Sequence, residues 1–205
     1  QERCAILPAR GKVRQAARGL SRSHKVKGSM QSQGRSVHKL ITLLALLPCL
    51  ALANEQTLSC YVVGVSDGDT LSCFDAENRK TEKIRLRGID APETKQPFGQ
   101  RSKQSLSTLA HGKPATVKWS KRDRWGRIIG AVWVEPPDCP GCGRTLDIGR
   151  AQLSVGMAWW FRRYANEQPD DERRQYKFEE REAKARGVGL WQDKEPVAPW
   201  DWRNR

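Results

Sequence analysis

The chain has 205 residues and carries 37 Lys and Arg against 23 Asp and Glu, a formal net charge of +14. That length fits one ordinary domain with an extra segment. The charge is uneven: residues 1–53 hold ten basic groups and one acid, leaving 27 basic and 22 acidic groups, a net of +5, for residues 54–205. The main body therefore supports contact with a polyanion only where its charges cluster.

Residues 1–29 are polar, basic and rich in Gly and Ser, with no core-building period. They read as a disordered or mis-called N-terminal extension, with translation starting at Met30. Residues 30–53 read as a secretory signal peptide. Arg35, His38 and Lys39 precede the apolar run LITLLALLPCLALA, and Ala51-Leu52-Ala53 offers small residues at both cleavage positions. At 14 residues the run is shorter than the roughly 20 that span a membrane. The expected working protein thus starts at Asn54, is secreted or periplasmic, and has no stable membrane association. An uncleaved anchor and a buried helix are the other readings of this run.

The elements then follow in order. CYVVGVSDGDTLSCF (60–74) gives two short β-type runs around Asp67-Gly68, a hairpin signature. Lys83 to Ile89 alternates basic with apolar residues, which predicts a third strand with one face buried and the other presenting arginines. Asp90-Ala91-Pro92-Glu93 breaks it into a turn. Residues 100–110 have Leu106 and Leu109 at helical spacing, and Gly112 and Pro114 end the helix. Thr116–Trp119 and Ile128–Val134 predict a fourth and a fifth strand, joined by the turn 122–127. A Pro- and Gly-rich loop spans 136–143. Leu146–Ala158 and Asp170–Arg186 predict two more helices, and Pro196 and Pro199 keep the tryptophan-bearing tail from extending the second. The fold class is α+β: a small five-stranded barrel with about three packed helices. The late tryptophans read first as the seal of a small domain, and second as a base-stacking platform.

Four cysteines remain after residue 53, an even number suited to an oxidising compartment. Three pairings are open. The hairpin brings Cys60 near Cys73, and Cys139-Pro140-Gly141-Cys142 can close on itself, so 60–73 and 139–142 are the expected disulfides. A redox motif or half a zinc site are the alternatives for the CxxC.

The chemistry-bearing residues concentrate in two turns. Asp67-Gly68-Asp69-Thr70 puts a carboxylate at the hairpin tip, and Asp90 and Glu93 follow the arginine-bearing strand. If the strands pair, Asp69 and Asp90 converge as hard oxygen ligands suited to Ca²⁺, completed by a backbone carbonyl and waters. His111 is the one histidine after residue 53, which disfavours histidine-based catalysis or zinc. Carboxylates beside Arg85, around a metal, suit phosphoryl chemistry, because cations offset charge on phosphate oxygens while a carboxylate orients or deprotonates water. Each element alone is also a generic turn; their combination in order is the specific signal.

That combination resembles the staphylococcal nuclease (thermonuclease) family. The matching stretches are VSDGDTL (65–71), IRLRGIDAPE (84–93), QPFGQRS (96–102), RDRWGR (122–127), LSVGMAWWFRRY (153–164) and ARGVGLW (185–191). The resemblance implies an OB-type barrel with three helices. It implies Asp69, Asp90 and the Ala91 carbonyl as Ca²⁺ ligands, Glu93 as general base, Arg85 and Arg127 on the phosphate, and Arg124 and Trp125 in the nucleotide pocket. Trp125 is larger than the tyrosine expected there. The implied activity is cleavage of DNA and RNA by a monomer, with unpaired strands preferred and 3′-phosphate products. A barrel that binds nucleic acid or protein without catalysis is the other reading; the retention of Arg85, Glu93 and Arg127 together speaks against it.

Overall fold

A computed structural model describes residues 55–205. The extension and signal peptide expected over residues 1–53 lie outside the described residues. The first hairpin joins β1 (Gln56–Val65) to β2 (Thr70–Asp75). β3 (Lys80–Leu86) pairs antiparallel with β2. After a two-residue strand β4 (Ile89–Asp90) and helix α1 (Gly99–Ala110), β5 (Pro114–Arg122) runs beside β1, and β6 (Ile128–Val134) beside β5. β6 then meets β3 in parallel, with Ile84 opposite Ile128 and Leu86 opposite Gly130. That contact closes the order β3-β2-β1-β5-β6 into a five-stranded barrel, which removes the exposed edges an open sheet would carry.

The alternation seen in the sequence is the alternation of the barrel wall. Val62, Leu71, Cys73, Ile84, Leu86, Val117, Ile128, Val132 and Val134 are buried, and Cys60 and Cys73 form a disulfide inside this set with Cα atoms 5.6 Å apart. Cys139 and Cys142 are also paired, in the loop that follows β6. The face expected to present arginines differs from the expectation at Arg87. β3 ends at Leu86, and Arg87 lies buried between Glu55 and Glu172, with guanidinium-to-carboxylate distances of 3.2 and 2.6 Å. Only Arg85 of the two reaches the hairpin tip.

Three helices pack against the barrel. α1 buries Gly99, Ser102, Leu106 and Ala110 along one face. After the short strand β7 (Leu146–Asp147) comes α2 (Ile148–Ser154), shorter than the helix expected over 146–158. Its start is set by Asp147, whose side chain accepts from the backbone N–H groups of Gly149 (2.9 Å) and Arg150 (3.2 Å). Its end is set by Gly156 at φ 65°, where a Cβ would sit 2.3 Å from the Val188 carbonyl oxygen. The chain then forms β8 (Trp159–Trp160), which pairs with β4. α3 (Asp170–Ala185) carries Asp170, Asp171 and Glu172 in its first turn, where the helix dipole favours acids. It buries Tyr176, Glu180 and Ala183.

The tail ends in a single turn, α4 (Pro199–Trp202). Trp159 meets Trp191 and Trp200 edge-on at 4.4 and 5.6 Å, and Phe161 stacks on Trp200 at 5.5 Å. No helix among the described residues is long and apolar enough to cross a membrane.

Candidate active site

Strand register assembles the first part of the site. Thr70 is opposite Arg85 in the β2–β3 ladder, and the Leu86 N–H donates to the Asp69 carbonyl at 2.8 Å. Asp69 therefore lies beside the end of β3. The tight turn before it is held by Asp67, which accepts from the Asp69 N–H at 3.1 Å. Only glycine fits at position 68, because a Cβ there would lie 1.8 Å from the Ser102 hydroxyl oxygen and 2.7 Å from the Ala91 Cβ. The hairpin tip thus rests directly on α1 and on the turn after β4.

Asp90 is positioned by the small second sheet, opposite Trp159. It is 1% exposed, and Asp69 is also buried. The two carboxylates share one guanidinium: Arg85 Nη1 lies 2.8 Å from Asp69 Oδ2, and Nη2 lies 2.9 Å from Asp90 Oδ1. Asp69 Oδ2 also accepts from the Ala91 N–H at 2.7 Å, and Asp69 Oδ1 from the Thr70 hydroxyl at 3.0 Å. Burial pushes the Asp69 carboxyl up to about 7, against the pull of Arg85, with Asp67 and Asp90 adding to the rise. Glu93, half-exposed, follows in the same turn, where its N–H donates to the Gln96 side chain at 3.0 Å.

The opposite wall comes from the turn between β5 and β6. Asp123 accepts from the N–H groups of Trp125 (3.0 Å) and Arg127 (2.9 Å) and from Arg127 Nε (2.7 Å). The guanidiniums of Arg124 and Arg127 lie 4.1 and 5.1 Å from the Trp125 ring centre, and that ring is 65% exposed. A cleft of about 610 Å³ runs between the walls and includes Asp69, Arg85, Asp90, Ala91, Glu93, Arg124, Trp125 and Arg127 in its lining. The structure thus gathers the eight non-cysteine candidates in one cleft, in two sets: an acidic set around Arg85, and an aromatic-basic set around Asp123. Cys60–Cys73 and Cys139–Cys142 do not line it.

Several residues of the cleft went unnoticed in the sequence. Arg203 donates to Asp90 Oδ2 at 2.7 Å and to Glu93 Oε1 at 2.6 Å. Phe161, Arg163 and Tyr164 line the same cleft. Asp123 and Phe161–Tyr164 stand inside recognised motifs, so a signal existed for them; the tail carries no motif around Arg203.

The donor set suits a hard divalent cation. Asp69, Asp90 and Glu93 offer only oxygens, and once all three are ionised they exceed by one charge the two guanidiniums they face. Among the described residues no cage of three His, Cys, Asp or Glu side chains exists. A cation held through two carboxylates and a backbone carbonyl would keep waters in its remaining positions.

Comparison with known proteins places the chain in a family. The family model described as staphylococcal nuclease homologue matches residues 83–193, more than half of the chain. The chain belongs to this family. Among its relatives, an uncharacterized endonuclease of Haemophilus influenzae is 34% identical over 166 residues, covering 81% of this chain and 84% of that protein. A micrococcal nuclease of Shigella flexneri is 36% identical over 171 residues, covering 82% and 91%. An uncharacterized endonuclease of Escherichia coli is 39% identical over 144 residues, covering 70% and 84%. The family-matched segment contains Arg85, Asp90, Glu93 and Arg127; Asp69 stands ahead of it and Arg203 beyond it.

Proposed function

We propose that the chain is a Ca²⁺-dependent nuclease that hydrolyses the phosphodiester backbone of DNA and RNA. The observation that carries this reading is the pair of buried carboxylates bridged by Arg85, facing Arg127 and the exposed Trp125 ring across one cleft. Family membership and relatives named as nucleases support the same reaction class.

Asp69, Asp90 and the Ala91 carbonyl would hold the ion. When bound, it supplies Lewis-acid offset of the charge that builds on phosphate oxygens. Arg85 and Arg127 grip the scissile phosphate from the two walls, where a desolvated guanidinium stabilises developing charge better than water does. Glu93, the most accessible of the three carboxylates, accepts a proton from the attacking water. Arg124 and Trp125 bind the neighbouring nucleotide, the indole offering a stacking face that any base can use. Stacking of that kind needs an unpaired base, so single strands are the preferred substrate; 3′-phosphate ends as products rest on the family resemblance alone. The enzyme works as a monomer in a periplasm or outside the cell, a location supported by its paired cysteines.

The test uses protein starting at Asn54, single- and double-stranded DNA and RNA, and Ca²⁺ followed by chelator. Cleavage is expected with Ca²⁺ and none after chelation. Intact, folded protein that cuts no substrate at any Ca²⁺ concentration would refute the enzyme. Glu93→Gln is expected to lose about 10²–10⁴-fold in kcat, the range for a general base. Wild-type rates in that variant would remove Glu93 from the role and leave the rest standing.

A further inference from the structure

The C-terminal tail delivers a guanidinium to the acidic set. Arg203 Nη2 lies 2.7 Å from Asp90 Oδ2, Nη1 lies 2.6 Å from Glu93 Oε1, and Nη1 is 3.3 Å from Asp90 Oδ1. With Arg85 on Asp90 Oδ1 at 2.9 Å, both oxygens of Asp90 face arginines. The contact is built rather than incidental. Trp200 stacks on Phe161 and meets Trp159, the residue opposite Asp90 in the second sheet. Gln96 ties the two partners together: its Oε1 accepts from the Glu93 N–H, and its Nε2 donates to the Val197 carbonyl at 2.7 Å. The tail is thus fastened at Val197 and Trp200, a few residues before the arginine. Asp90 is 1% exposed and Arg203 43% exposed, so the fixed partner is the carboxylate and the movable one the guanidinium.

We propose that Arg203 is a cationic stand-in for the metal: it holds Asp90 and Glu93 together in the metal-free enzyme and must withdraw for a divalent cation to bind. This rests on the reading that Asp69 and Asp90 hold such an ion. With all three carboxylates ionised, as ion binding requires, Arg85 alone leaves a net charge of −2, which a divalent cation cancels. With Arg203 still seated, the same ion would bring the cluster to +1 and would press against a guanidinium on the oxygens it needs. Occupancy by the ion and by Arg203 are therefore mutually opposed. Each weakens the other by one and the same factor, since coupling between two sites is reciprocal. The exposed side of Arg203 gives the guanidinium somewhere to go while the aromatic strap keeps it at the rim.

The experiment is calorimetric titration of Ca²⁺ into wild type and Arg203→Gln, both starting at Asn54, with folding checked by circular dichroism. Arg203→Gln is expected to bind about tenfold more tightly, within the roughly 5–150-fold range of ordinary couplings. In the wild type, the NMR signal of the Arg203 Nε–H group is expected to move on titration with the same midpoint as the heat, a measurement that needs no variant. Equal or weaker binding by a folded Arg203→Gln, or an Arg203 signal unmoved at saturating Ca²⁺, overturns the stand-in while leaving the metal site in place. Absence of binding by both proteins overturns the metal reading itself, and the stand-in with it.

Discussion

Asp123 does for the basic wall what no residue in the chemistry does for itself. One carboxylate oxygen takes the N–H groups of Trp125 and Arg127, and the other takes Arg127 Nε, so a single side chain sets both the turn and the aim of the guanidinium. The Arg127 contacts also hold the Asp123 carboxyl below its ordinary range despite the opposing effect of burial. Asp123→Ala is expected to lower kcat/KM by about 10–100-fold, because displacement of a phosphate-gripping group by about an ångström costs on that order. Asp123→Asn keeps an oxygen for the two backbone donors and loses the charged bond to Nε. It should recover the turn and part of the rate. Steady-state kinetics on the two variants decides this: equal losses would mean that the turn itself is irrelevant and only the charge matters.

At the scale of elements, the hairpin between β1 and β2 is where local sequence and global packing agree most closely. Its Asp-Gly turn is visible in the sequence, and so is the placement of a carboxylate at the tip. What the sequence does not display is that the tip abuts α1, which begins only at Gly99. Gly68 is required by that approach, with Ser102 and Ala91 filling the space that a side chain would take. Gly68→Ala is therefore expected to destabilise the fold by about 1–3 kcal/mol, the usual cost of overpacking a closed site. Denaturant unfolding would measure it; a change under about 0.5 kcal/mol, the scale of neutral surface substitutions, would show that the tip has room to shift.

The same contrast explains which parts of the site could be read in advance. β1, β2, β3, β5 and β6 follow from period-two alternation and turn residues, and Asp69, Arg85 and Asp90 follow each other around one hairpin and one strand end. Such neighbours are encoded locally. The sequence overstates α2 because Leu146, Gly149, Leu153 and Met157 keep helical spacing past both ends of the helix. A cap at Asp147 and the backbone approach of Val188 to Gly156 override that period. The burial of Arg87 is not legible in the β3 alternation because its partners, Glu55 and Glu172, come from distant elements. Arg203 is the extreme case, 110 residues from Glu93 and brought there by tryptophan packing with no period of its own.

Across the whole molecule, two buried carboxylates set opposing limits on stability as pH changes. Glu82 is paired with Arg122 at 2.8 Å and with Lys80 at 2.9 Å, and those bonds hold its carboxyl down at about 2, against burial. Its folded value lies below its unfolded one, so its contribution is present above about 4.5 and is lost as pH falls towards 2. Asp147 behaves in reverse. It caps α2, accepts the Tyr176 hydroxyl at 2.9 Å, and is pushed up to about 6 by burial, with Glu172 adding to the rise and the bonds from Arg150, Tyr176 and Gly149 opposing it. The folded protein thus holds a proton on Asp147 between about 4 and 6 that the unfolded chain has released. Stability from this group is greatest below the unfolded value and declines as pH rises through 6, the cost of ionising a buried carboxyl. The two contributions overlap best near pH 4, where Glu82 is largely ionised in its pairs and Asp147 still holds its proton. Asp147→Asn retains an oxygen for the cap and for Tyr176 but cannot ionise. In chelating buffer, which removes any metal linkage, the wild type is expected to lose about 1.4 kcal/mol through Asp147 between pH 5 and 7.5, because about one unit separates pH 5 from its folded value of about 6. Asp147→Asn should show a correspondingly flatter profile over that interval. Parallel profiles for the two proteins in denaturant unfolding would mean that Asp147 keeps its charge, and its ordinary titration, inside the fold.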